Sequence, residues 1–197
     1  MYKFTLILFV FLFSFMNIKA QNPLDGSGIA VKTNVLYDFL ATVNIGAEFR
    51  VANRVTFDFP ININAWPKSY NMKFKHILIQ PEFRYWLKEE FDRHFFGAHV
   101  LYVNYDWADM KLPFEIYPQL KNQRFKGDGY GIGFSYGYHW FLTSALRLEW
   151  TVGLGYAYFK YDLYNCSSCK EIAGKDHSKH YFGPTKAGVS LIYMIGK

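Results

Sequence analysis

Three observations predict an all-β chain, an eight-stranded antiparallel up-and-down outer-membrane β-barrel. Apolar and polar residues alternate with a period of two in eight successive segments. Aromatic residues make up 21% of the chain although its mean hydropathy is only −0.07, so the two classes are finely interleaved. The first twenty residues have the composition of an export signal.

The signal comes first along the chain. Lys3 supplies the positive charge, and Phe4 to Phe15 form an apolar core broken by Thr5 and Ser14. Cleavage after Ala20 leaves a single barrel domain over 21–197 that begins with Gln21 rather than Cys, so no lipid anchor is expected. The apolar run is shorter than the ~20 residues a spanning helix needs. No later segment is long and apolar enough for one, so contact with lipid requires strands closed on themselves. The net charge of +6 includes no basic run, and nucleic acid is not indicated.

The segments follow in order. Ile29–Phe39 carries Val31, Val35, Tyr37 and Phe39 against Lys32, Asn34 and Asp38. Thr42–Val51 sets Val43, Ile45, Ala47 and Phe49 against Asn44, Glu48 and Arg50, and Arg54–Ala65 sets Phe57, Phe59, Ile61 and Ile63 against Asp58, Asn62 and Asn64. Lys73–Leu87 alternates Phe83 and Tyr85 with Glu82 and Arg84. His94–Trp107 is apolar in both phases. Lys126–Leu142, Ala145–Asp162 and His180–Ile195 complete the set, the first two with glycine-rich polar phases. Pro60, Pro81 and Pro184 fall inside segments and imply bulges or strand ends, since each removes a ladder hydrogen bond.

The connections fit the same fold. Ala52-Asn53, Lys88–Arg93 and Thr143-Ser144 are short inner turns, while 108–125 and 163–179 are long outer loops. The connection near Leu40-Ala41 is short for an outer one. Glycine and closely spaced opposite charges suit the cramped inside of a small barrel, so the polar phase is expected to face inward and the aromatic phase lipid. Trp140, Trp150, Tyr130, Tyr138 and Tyr158 are candidates for the interfacial girdles; Trp86 falls on the inner phase.

Several stretches carry a family likeness. They are Val31-Lys32-Thr33-Asn34-Val35-Leu36-Tyr37-Asp38, Gln80-Pro81-Glu82-Phe83-Arg84-Tyr85-Trp86 and His94-Phe95-Phe96-Gly97-Ala98-His99. Tyr130-Gly131-Ile132-Gly133, Ser135-Tyr136-Gly137-Tyr138 and Tyr181-Phe182-Gly183-Pro184-Thr185-Lys186-Ala187 continue it. The chain resembles the uncharacterised envelope proteins of Bacteroidetes that form a domain-of-unknown-function family of small outer-membrane β-barrels. The resemblance implies fold and location, and no activity.

Candidate sites are few. Cys166-Ser167-Ser168-Cys169 followed by His177 and His180 offers four zinc-type ligands, although a disulfide between Cys166 and Cys169 is the expectation for an exported loop. Glu48, Arg50, Glu82, Arg84, Arg147, Glu149 and Lys186 are expected to form a luminal ion-pair network, because charges so placed must be paired. No catalytic residue and no cofactor is expected. The apolar loop stretch Met110–Pro118 is a candidate contact for a surface protein or glycan, or folds onto the rim.

The expected function is a non-enzymatic scaffold or surface-interaction module acting through the outer loops. One alternative is a lipid-modifying enzyme built on His76, His180, Ser178, Asp106 and Asp128. Others are a pore and a soluble periplasmic barrel with an apolar ligand.

Overall fold

The structure, a computed structural model, describes residues 28–66, 73–108, 123–165 and 172–195. The expected signal segment, Cys166 and Cys169 with their expected bridge, and most of the loop 108–125 lie outside these residues.

The described chain is β-rich, with one short helix. Its order is β1 (Ile29–Asn34), α1 (Val35–Phe39), β2 (Val43–Ala52), β3 (Val55–Asn64), β4 (Lys73–Ile79), β5 (Glu82–Trp86), β6 (His94–Ala108), β7 (Arg124–Phe141), β8 (Leu146–Tyr164) and β9 (Ile172–Ile195). All pairings are antiparallel, and β1 pairs with β9, so the sheet closes into a ring. The ring is staggered. Ile29 pairs with Phe49, and the pairings then run through Phe57, Phe83, Ala98, Phe134 and Leu154 to Pro184. Ile29 itself pairs with Ile195, eleven residues farther along β9. A closed sheet with such an offset has strands inclined to its axis.

Two strand expectations are overturned. The first segment does not stay extended to Phe39. Asn34 accepts a hydrogen bond from the Leu36 amide at 3.1 Å, a helix N-cap, and the chain turns into α1. The fourth segment is broken at Gln80-Pro81 into β4 and β5, both of which pair with β3 and β6. Pro60 lies beside this break. Its carbonyl accepts from the Gln80 amide at 3.4 Å, and the nitrogen and oxygen of one strand residue point to the same side. The nitrogen that has no hydrogen therefore faces the interruption.

The outer connection expected over 163–179 is largely strand, because β8 runs to Tyr164 and β9 starts at Ile172. Pro184 sits at a bulge where the β8 register passes from Lys186 to Pro184 and leaves Thr185 unpaired.

The alternation becomes two faces. Val43, Ile45, Phe83, Phe96, Val100, Ile132, Phe134, Val152 and Leu154 point outward and are exposed. Lys32, Glu48, Asp58, Glu82, Arg84, His99, His139 and Glu149 point inward and are buried. In β6 the inward residues are Phe95, Gly97, His99, Leu101, Val103 and Tyr105.

Candidate functional site

The interior is organised by one cross-strand row. Glu48 pairs with Asp58, Asp58 with Glu82 and Glu82 with His99, which places three acids side by side on β2, β3 and β5. Like charges directly opposite destabilise a sheet unless compensated. Arg84 supplies the compensation. Its guanidinium lies 2.8 Å from Glu48, 2.9 Å from Asp58, 2.7 Å from Glu82 and 2.6 Å from Glu149. Lys32 contacts Glu48 at 2.7 Å and Asp58 at 3.0 Å, and Lys186 contacts Glu82 at 3.1 Å.

Hydroxyl groups add further hydrogen bonds to the carboxylates. Thr56 donates to Glu48 at 2.5 Å, Ser135 to Glu82 at 2.8 Å and Thr151 to Glu149 at 2.8 Å. His139 lies 2.7 Å from Glu149, and His99 bridges from Glu82 at 3.4 Å to the Thr185 hydroxyl at 3.0 Å. Charges withdrawn from water persist when paired and hydrogen-bonded in this way.

Glycines on the facing strands make the space. A Cβ at Gly133 would stand 2.7 Å from both His99 and Thr185, and one at Gly46 would stand 2.8 Å from the Lys32 side chain. Gly97 gives the same room to Glu82 and Ser135.

Toward the short turns the interior is closed by rings. Trp86, fully buried, donates its indole N–H to Thr56 at 2.9 Å and packs on Phe91, Phe95 and His139. Toward the other end a second cluster gathers Leu101, Val103, Tyr105 and Phe125 with Trp107, Phe159 and Tyr161.

Of the expected luminal residues, Glu48, Glu82, Arg84, Glu149 and Lys186 come together. Arg50 does not join them: it is half exposed near the end of β2 and pairs with Glu90 at 2.9 Å. Arg147 is buried apart, donating to the Phe91 carbonyl with its guanidinium over the Phe141 ring. Lys32, Asp58, His99 and His139 belong to the cluster and were not singled out from the sequence. For Lys32, Asp58 and His139 the signal was the inward phase alone, and His99, in the segment apolar in both phases, had none.

His177 and His180 do not converge. Three residues apart in β9, they point to opposite faces, His177 stacking on Tyr161 and His180 bonding to the Tyr156 hydroxyl at 2.5 Å. His76 faces inward while His180 faces outward, Asp106 is held by Arg124 at 2.6 Å, and Asp128 accepts from Tyr102 at 2.8 Å.

The outer face carries two aromatic rows. Tyr102, Tyr130, Tyr158 and His180 are successive cross-strand partners on β6 to β9, and His94, Tyr138 and Trp150 form a second row on β6 to β8. Apolar residues lie between them. Beyond the first row come Asn104, Asp128, Lys160 and Ser178, all polar.

A family model described as a protein of unknown function, DUF3575, matches residues 5–195. The chain belongs to this family. No curated protein matches it, and no solved structure does. The family's description assigns no activity, so a functional argument for this member rests on its own residues.

Proposed function

We propose that the chain is an eight-stranded outer-membrane β-barrel, with β4 and β5 as one stave, exported by the segment 1–20. It acts without chemistry of its own, as a scaffold or surface-interaction module that meets a surface protein or glycan through the outer regions 108–125 and 163–179. The observation that carries the membrane reading is the apolar row from Ile29 through Phe49, Phe57, Phe83, Ala98, Phe134 and Leu154 to Pro184, which circles the ring while the row beside it holds Glu48, Asp58 and Glu82. A chain folded for water would hold the opposite arrangement.

The aromatic rows support a membrane of ordinary depth. Tyr130 and Tyr138 are eight residues apart on β7. That is about 27 Å of strand and, at a tilt of ~40°, about 20 Å of height, close to the ~25 Å apolar band of such barrels. The resemblance to Bacteroidetes envelope proteins points to the same place. The scaffold role is favoured over a pore by the ion pairs that tie the interior across its width, and over a lipid-modifying enzyme by His76 and His180 lying on opposite faces of the sheet.

Fractionation of the native envelope, followed by electrophoresis with and without boiling, tests the location. Recovery in the outer membrane with a mobility shift on boiling is expected. Recovery in the soluble periplasm would sink the reading. For the role, alanine replacement across both outer regions is expected to change a surface phenotype while leaving the mobility shift intact.

A further inference from the structure

We propose that the wall between β9 and β2 is a side entrance, through which a lipid of the surrounding membrane seats the tip of an oxygen-rich headgroup inside the ring. The proposal rests on the membrane reading above and names a ligand class that reading does not require.

The wall changes construction at this point. β1 pairs with β9 no farther than Asn34↔Ser190 and with β2 no farther than Lys32↔Gly46. β2 continues to Val43 and β9 to Ile172. Among the described residues no strand lies between them there, and α1 takes the place, packed chiefly on β9. The β2 side of the seam is tied by Asn44, which donates to the Asn34 carbonyl at 3.0 Å and to Asp38 at 2.9 Å, whereas on the β9 side the Val189 amide donates to Asn34 Oδ1 at a longer 3.4 Å. Strand–strand ladders hold the rest of the ring.

A small cavity lies directly behind this seam. Its lining includes Tyr37 from α1, Asn34, Asn44 and Asn62 from the neighbouring strands, Gln80 at the β4–β5 break and Lys186 from β9. The volume is about 30 Å³, room for roughly two water-sized groups. It therefore takes a hydroxyl or a phosphoryl oxygen rather than a whole headgroup. Asn44 uses its amide donors on Asn34 and Asp38, and Asn62 and Gln80 each give one to the Leu78 and Thr185 carbonyls, so the second N–H of Asn62 and of Gln80 is what the lining offers such an oxygen. Lys186 Nζ, whose charge faces Glu82 at 3.1 Å, also borders the cavity.

In front of the seam the surface is apolar. Phe39 on α1 is 84% exposed and Phe182 on β9 is 82% exposed, more than any other large apolar side chain among the described residues. A lipid seated there would lay acyl chain against these rings while its head reaches the amides. A peptide or a second copy of the chain would cover the rings without needing the cavity, which is why lipid is the occupant argued.

The test places the photoreactive residue p-azidophenylalanine, one position at a time, at Tyr37, Phe134 and Trp86 of the full chain in its native envelope. Adducts are identified by mass spectrometry after illumination of protein that retains its heat-dependent mobility shift. Lipid adducts are expected at Tyr37 and at the outward Phe134, and none at the buried Trp86. Adducts at Phe134 with none at Tyr37, or a protein adduct at Tyr37, overturn the side entrance and leave the membrane reading standing. No lipid adduct at Phe134 removes the membrane reading itself. Native mass spectrometry of the unaltered protein, extracted in mild detergent, is a second measurement independent of the Tyr37 substitution. One retained lipid per chain is expected, and a lipid-free protein overturns the proposal.

Discussion

Arg84 on β5 and Glu149 on β8 meet across the interior at 2.6 Å, with side chains 1% and 3% exposed. Two strands, β6 and β7, separate them along the sheet, so the contact spans the ring rather than running along its wall. Arg84→Met leaves the four buried carboxylates of the described cluster with Lys32 and Lys186 as their remaining lysine or arginine partners. Removing one partner of a buried pair costs about 3–5 kcal/mol. A fall of that size in unfolding free energy, measured by urea titration in lipid vesicles, is expected. Glu149→Gln is expected to cost clearly less, because the described cluster then holds Lys32, Arg84 and Lys186 against Glu48, Asp58 and Glu82. Equal losses from the two variants would contradict a charge-limited interior.

Gly137 is fixed by a ring. An added Cβ would strike Phe95 and stand 2.8 Å from the Trp150 carbonyl oxygen, and Phe95 is itself pressed against Trp86. Gly137→Ala is expected to destabilise by about 1–3 kcal/mol, the usual range for overpacking. Adding Phe95→Leu should recover part of the loss in the same titration, and no recovery would place the strain elsewhere.

Phe134 sits midway between the two aromatic rows, 77% exposed. Phe134→Arg is expected to destabilise the protein in bilayers by about 2–4 kcal/mol, the cost of a cation at mid-depth. A change within about 0.5 kcal/mol, ordinary for a surface in water, would contradict a lipid-facing belt.

Asp106 and Arg124 provide the contrast. Their bidentate pair, 2.6 and 2.7 Å, lies at the ends of β6 and β7 with about one sixth of each side chain exposed. Asp106→Asn is expected to cost under about 1 kcal/mol and to cost less still in high salt. A loss comparable with that of Arg84→Met would mean that this rim is buried by something further.

The period-two pattern was enough to find the sheet and the sense of its faces, because one wrong phase would turn every charge of β2 or β3 outward. β6 resisted for a physical reason. Its inward residues Phe95, Leu101, Val103 and Tyr105 belong to the apolar clusters at the two ends of the interior, so both of its phases look alike. The upper part of β9 was mistaken for loop because Lys175 to Lys179 carry almost no apolar signal. α1 was hidden because Val35, Tyr37 and Phe39 continue the alternation of β1; only the capping Asn34 marks the change.

The luminal site was partly legible. Close opposite charges in one strand, Glu82 with Arg84, led to the hub, whereas Lys32 and Asp58 have no such partner beside them in sequence. Arg50 carried the same signal as Arg84 and failed, since nothing in a two-residue spacing says how near a strand end lies. Of the histidines of the cluster, His139 was marked by its phase and His99, on β6, by nothing.

The bulge at Thr185 has a consequence for chain length. Below it Lys186, Gly188 and Ser190 face inward, and above it Gly183 and Tyr181 do so, opposite Gly155 and Ala157. Deleting one residue elsewhere in a strand would transpose everything on one side of the cut. Deleting Thr185 would not. Every other side chain of β9 would keep its face, and the loss would fall on Gln80, which donates to the Thr185 carbonyl at 2.8 Å, and on His99. Thr185 is thus a point in β9, within the regularly paired stretch from His177 to Tyr193, where a related chain can be a residue shorter and remain the same molecule.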